Sequence, residues 1–272
     1  MHSAVHSPEV MLADLSLPGE TVVAVAGDWH GDRMWAQSVI AALHVVAPDV
    51  LSILHLGDFG VLPDRLGKGM LKAVDSACAQ SGIERVLVTP GNHEDWDRLM
   101  ARFASKPNVA VQLSEVVWVL PPGFRFALAG RSFLSFGGAA SLDFAYRQAR
   151  GAWWPSELPD ESAAAEANAA GTADVLLTHE TVNGGTAAVE KILRSNPMNW
   201  DTDALEYSAL SRQRITKLWD GVHPALLAHG HMHVADRVEL PDGRRVVSLG
   251  CNRQRKNIGL LNLADLAWTW MD

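Results

Sequence analysis

Cysteine is scarce: the 272 residues hold two, Cys78 and Cys251. Two thiols cannot build a disulfide framework, and so low a number fits a reducing compartment. No apolar run approaches the roughly 18 residues that a membrane-spanning helix needs. The opening residues carry neither the basic flank nor the apolar stretch of a secretory signal. These absences set the expectation of a soluble, cytoplasmic protein without a membrane partner. Positive charge is also short, with 23 Lys and Arg against 31 Asp and Glu and a net charge of −8. A surface of that sign does not grip extended nucleic acid over its whole area. Arg244-Arg245 and Arg253-Arg255-Lys256 could form a local basic patch, but a solvated hairpin rim is the favoured reading of both.

What is present is core-forming material in regular order. Hydrophobic residues make up 48% of the chain, enough for one large domain or two small ones. No repeat and no break demands two, so the expectation is a flexible N-terminal arm over 1–19 and a single domain over 20–272. From Thr21 the pattern is rhythmic. Thr21–Ala26, Val50–Leu56 and Val86–Thr89 read as buried strands, with helices over 33–47 and 68–81 between them. Their polar tips, Asp28, Asp58 and Asn92, lie 30 and 34 residues apart, about one strand–helix–strand unit each.

The second half is richer in strands. Phe124–Ala129 and Ser132–Phe136 flank Gly130-Arg131, Asp174–Thr178 ends at His179, and Ala225–Ala228 runs into His229-Gly230-His231-Met232-His233. Asp242-Gly243 marks a hairpin turn. Segment 156–172 reads as a surface helix or a mobile loop. Segment 181–202 is long and polar, and precedes a helix over Ala204–Trp219.

The strand tips thus present Asp28, His30, Asp58, Asn92, His179, His231 and His233, all able to ligate a metal. Mixed oxygen and imidazole donors suit borderline divalent ions, Mn²⁺ foremost, with Fe, Zn or Ni as alternatives. Seven donors exceed the needs of one tetrahedral ion but match two ions about 3.5–4 Å apart bridged by one carboxylate. Only two donors are anionic, so two divalent ions leave roughly +2 of formal charge, which suits a phosphate ester.

The blocks "GDWHG" (27–31), "GD" (57–58), "GNHE" (91–94), His179 and "GHMH" (230–233) resemble, in order and spacing, the five blocks of the calcineurin-like metallophosphoesterase superfamily. They span most of the chain. The resemblance implies an α/β (α+β) fold: a four-layer sandwich of two mixed β-sheets flanked by helices, with a dinuclear metal site at the loop ends. It implies that Asp28, His30 and His233 hold one metal and Asn92, His179 and His231 the other, with Asp58 bridging. A metal-bridging hydroxide would attack phosphorus, and His93, a non-ligand, would serve the leaving group as proton donor. The Gly-His-x-His ending resembles phosphodiesterase-type members, so a small nucleotide-type diester, cyclic ones included, is the expected substrate. Alternatives are a phosphomonoesterase (protein phosphatases included), a nuclease, or a scaffold that has lost catalysis.

One departure stands out. Protein phosphatases of the superfamily place an acid and then an arginine shortly after the second Gly-Asp, where this chain has Val61 and Leu62. An arginine fork that grips phosphate oxygens must then come from elsewhere, and Arg147 in "GGAASLDFAYR" and Arg33 are the candidates. Plainer roles are expected for the remainder. His44, His55 and His229 read as structural and Asp32 as a helix cap. Glu94, Asp95 and Asp97 read as acids opening a helix. Trp153 and Trp154 would anchor a loop or stack on a ring.

Overall fold

The computed structural model describes residues 12–61 and 65–271, with Arg65 and Leu66 described by their backbone alone. In chain order the elements are β1 (Ala13–Asp14), β2 (Val22–Ala26), α1 (Arg33–Val46), β3 (Ser52–His55), α2 (Arg65–Ser81) and β4 (Arg85–Val88). Then come α3 (Trp96–Ser105), β5 (Val111–Gln112), β6 (Val117–Val119), β7 (Phe124–Leu128), β8 (Arg131–Phe136), α4 (Phe144–Gln148) and a 3₁₀ turn at Pro155–Glu157. The chain closes with α5 (Glu161–Ala169), β9 (Val175–Thr178), α6 (Ala187–Ser195), α7 (Thr202–Val222), β10 (Leu226–His229), β11 (Asp236–Glu239), β12 (Arg245–Ser248), β13 (Ile258–Asn262) and β14 (Trp268–Trp270).

Two seven-stranded mixed sheets result, ordered β14-β13-β2-β3-β4-β6-β5 and β1-β7-β8-β9-β10-β12-β11. Strands β2, β3, β4 and β6 run parallel, as do β8, β9, β10 and β12. Alternation along each strand divides the core into layers. In β2, Val23 and Val25 enter the apolar layer between the sheets, whereas Ala24 and Ala26 face the layer under α1 and α2. In β9, Val175 and Leu177 face inward and Leu176 meets α5 and α7. Each sheet is therefore apolar on both faces, which is why its central strands read as continuous hydrophobic runs. Burying one such aliphatic side chain contributes about 1.5–3 kcal/mol. The helices are started by local chemistry: Asp32, Asp95 and Asp201 accept backbone N–H groups in the first turns of α1, α3 and α7.

The structure refines several sequence expectations. Of the arm over 1–19, residues 1–11 lie outside the described residues; the remainder is docked, since β1 adds a parallel edge strand to β7 and Leu15 N donates to Ala127 O at 3.0 Å. Segment 156–172 contains helix α5. The polar segment 181–202 is not a continuous loop, because α6 occupies its centre. The hairpin at Asp242-Gly243 forms as β11 and β12. Among the described residues no helix is long and apolar enough to cross a membrane.

Candidate metal centre

The carboxyl ends of β2, β3 and β4 in one sheet and of β9 and β10 in the other meet at one edge of the sandwich, the usual ligand side of parallel strands. There the expected donors converge. Asp28 and Asp58 are buried, and with His30 and His233 they offer ligand atoms all within 4.8 Å of one another. His233 Nε2 lies 3.1 Å from Asp28 Oδ2 and 2.9 Å from His30 Nε2. His30 Nδ1 is 3.7 Å from Asp58 Oδ2. On the far side of Asp58, His179 Nε2 stands 3.4 Å from Asp58 Oδ1 and 2.9 Å from Asn92 Oδ1. The His231 ring packs 5.0 Å from that of His179. Asp58 thus has an imidazole of each donor group within 3.7 Å, whereas Asp28, 3.1 Å from His233, stands 4.0 Å from His179.

The backbone is held in unusual conformations to achieve this. His30 (φ 47°), Asp58 (φ 50°), His231 (φ 68°) and His233 (φ 50°) are all left-handed, at about 1–3 kcal/mol each. The glycines of the motifs are set by close approach: a side chain on Gly91 would collide with the Asp58 carboxylate, and one on Gly230 with that of Asp28.

Electrostatics favour cations here. Burial opposes charge on His179, but Asp58 and Asp28 outweigh it and raise its pKa to about 10. Burial likewise opposes charge on His233, yet hydrogen bonds to Asp28 and Cys251 carry it to about 11. Asp58 is held well below the usual carboxylate range, burial being overcome by His179 and then His93. Such a field attracts protons or metal ions alike. The donor set fits metal for a further reason. His179 Nδ1 donates to Leu56 O at 2.6 Å, so a neutral His179 turns a lone pair toward Asn92 Oδ1, and a cation reconciles those two acceptors. In addition, His231 Nε2 and Glu180 Oε2 are buried without hydrogen-bond partners and lie 4.0 Å apart. A proton between them would free His231 Nδ1 for ligation.

Asn92 is oriented from behind. Its Nδ2 donates to Ser141 Oγ at 2.9 Å, which turns Oδ1 toward the site. Ser141 Oγ donates to the buried Glu157 at 2.8 Å, and Glu157 also receives Trp153 Nε1. Arg147 belongs to this network rather than to the cleft. It is 5% exposed, and its Nη1 donates to Asn92 O at 3.0 Å, to Ser141 Oγ, and to Glu157 Oε2 at 3.3 Å. The reason is charge: Glu157 is buried and needs a cation beside it. Arg33 is exposed, reaches across Gly69 of α2, and lines a separate shallow depression beside His30 with Asp32 and Arg253.

His93 has its Nε2 3.9 Å from Asp58 Oδ2 and its ring edge-on to His30. Desolvation lowers its pKa, Asp58 opposing this and Arg147 reinforcing it. Val61, at the position of the absent acid, is core packing, and its carbonyl accepts Asp95 N at 3.0 Å; Leu62 lies outside the described residues. Glu94 corrects the sequence expectation. Asp95 caps α3 and Asp97 sits in its first turn, but Glu94 is fully buried and accepts N–H groups from Asp58, Gly60 and Gly91. It ties two of the donor loops together. His55 and His229 are buried structural residues, and His44 bonds to Ser81 O.

Sequence reasoning missed Ser141, Glu157, Glu180 and Asp143, the last of which lines the cleft next to His93. A carboxylate directly after a strand-tip histidine was the available signal for Glu180; the Glu157 network left none, since its members are scattered.

Two mixed sheets that bring carboxylates, an amide and imidazoles to one edge define an α/β sandwich with a metal-capable loop cluster. A family model described as calcineurin-like phosphoesterase matches residues 21–235, and the chain belongs to that family. Such proteins typically use a dinuclear divalent metal centre. The fold is similar to that of TT1561 from Thermus thermophilus, with 12% identity, 93% of this chain and 98% of that chain covered, and a TM-score of 0.52. It is also similar to a dimetal phosphatase from Danio rerio, with 12% identity, coverage of 89% and 92%, and a TM-score of 0.51. At such identities the likeness is one of fold. No curated protein matches the chain.

Proposed function

We propose that the chain hydrolyses phosphate esters at two divalent ions, Mn²⁺ first among the candidates, and that its substrates are small nucleotide-type phosphodiesters. One observation carries this reading: metal-capable side chains from five separate loops converge around Asp58, with His93 beside them. Asp28, His30 and His233 would hold one ion, Asn92, His179 and His231 the other, and Asp58 both. Bound divalent metal supplies Lewis-acid activation of water and neutralises the phosphoryl oxygens.

The chain's own groups do the remainder. Glu94 fixes the Asp58 and Asn92 loops, and Ser141, backed by Glu157 and Arg147, keeps the Asn92 carbonyl aimed inward. His93 holds a proton at Nε2 for the departing ester oxygen. Among the described residues no Lys or Arg lines the cleft, which favours a singly charged diester over a doubly charged monoester. The test is a Mn²⁺-supplemented panel with elemental analysis. It compares a chromogenic monoester, a chromogenic diester, 2′,3′- and 3′,5′-cyclic nucleotides and single-stranded DNA. We expect two metals per chain and the highest kcat/KM on a small diester. Preference for the monoester would overturn the diester reading, and no turnover at all would revive the scaffold alternative.

A further inference from the structure

The cleft over these donors, about 410 Å³, is lopsided. Its floor is polar: His30, Asp58, Asn92, His93, His231 and His233. Its other lining residues, Asp143 apart, are Leu142, Ile192, Pro197, Met198, Trp200 and Met232, without a single hydrogen-bonding side chain except the Trp200 indole, and four of these six come from the single stretch 192–200. Met198 is 70% exposed. An apolar cluster open to water beside a polar site marks a place where something apolar is to be covered.

This wall is built rather than draped. Residue 196 ends α6 in a left-handed conformation (φ 42°), and Asn199 repeats it (φ 53°). Asn196 and Trp200 then lock each other: Asn196 Nδ2 donates to Trp200 O at 2.9 Å, and Trp200 N donates to Asn196 Oδ1 at 2.9 Å. Asp201 immediately caps α7. The backbone that carries Pro197, Met198 and Trp200 is therefore fixed before anything binds, which limits the ordering needed on binding. The charge of the cleft points the same way. Among the described residues its lining has no Lys or Arg, and Asp143 adds an anion, so the wall has nothing for a second phosphate or a carboxylate.

We propose that the 192–200 wall is a specificity subsite for the non-departing ester group of a phosphodiester, and that this group is a flat, uncharged aromatic ring seated on Trp200 and Met198. Indole faces and thioethers both favour aromatic partners. A monoester, which has no such second group, leaves the wall uncovered. The inference rests on the phosphoesterase reading above, and its test separates the two.

Two diesters that share a 4-nitrophenyl leaving group and differ in carrying phenyl or methyl as the second ester group are compared on the Mn²⁺-loaded chain. Diphenyl and dimethyl phosphate are then compared as ligands by calorimetry. The ratio of kcat/KM for phenyl over methyl is expected to fall about 10-fold in Trp200→Ala. Trp200→Phe should retain most of the ratio, and metal content should stay at the wild-type value in both variants. Met198→Ala should lower the ratio less. A ratio equal in wild type and Trp200→Ala, with turnover intact, would overturn the subsite and leave the hydrolase standing. Absent turnover with diphenyl phosphate still bound more tightly than dimethyl phosphate, and that preference lost in Trp200→Ala, would overturn the hydrolase and leave the subsite. Absent turnover without any such preference would overturn both.

Discussion

The two sheets contribute to the site on different terms. The sheet built on β2, β3 and β4 supplies the candidate oxygen donors, Asp28, Asp58 and Asn92, together with His30. The sheet built on β9 and β10 supplies imidazoles alone, His179, His231 and His233. The first set is tied by the protein itself: Glu94 takes three backbone N–H groups, Asp58 Oδ1 accepts His93 N at 2.9 Å, and Asn92 is held by Ser141. The second set retains buried atoms without partners, His231 Nε2 and Glu180 Oε2. Buried polar atoms rarely remain unmatched without a functional reason. One half is thus preorganised by hydrogen bonds, whereas in the other the His231–Glu180 pair lacks the proton that would complete it.

The largest effect should come from the residue that joins the halves. Asp58→Asn removes the shared carboxylate and should cost about 10³-fold or more in activity and most of the bound metal. Elemental analysis showing two ions per chain in that variant would refute the shared role. Next in size is His93→Ala, expected to lower kcat by about 10²–10⁴-fold with metal content intact. Loss of one ion would make His93 a ligand and draw it into the oxygen-donor half.

The comparison also separates what was legible in the sequence. Continuous apolar runs betray strands buried on both faces, and the polar residues that follow each run stand at the sheet edge; this singles out the seven candidate donors. Glu94 was misleading because an acid ahead of a helix has a sufficient local explanation, whereas its partners at Asp58 and Gly60 lie 36 and 34 residues away. Arg147 invited a phosphate-binding role because Leu62 stands where an arginine was expected, and its partner Glu157 gave no local sign. The wall at 192–200 was hidden because its apolar residues are few within a polar stretch, and only α6 and the Asn196–Trp200 pair gather them. Long-range hydrogen bonds, rather than propensities, are what the sequence concealed.

A matched pair of substitutions probes the contrast itself, with the smallest expected effects. In Glu94→Gln one of the three N–H groups faces an amide NH₂ in a buried site, at a cost of about 1–3 kcal/mol. That loss should appear as a lower urea midpoint even with metal removed by EDTA, because the oxygen-donor half is organised without it. Glu180→Gln replaces a buried carboxylate whose Oε2 has no partner, so in EDTA the urea midpoint should not fall. Its effect should emerge only on titration with Mn²⁺, as affinity weakened about 10-fold through a less well oriented His231. A midpoint loss for Glu180→Gln in EDTA, or none for Glu94→Gln, would reverse the assignment of which half the protein organises for itself.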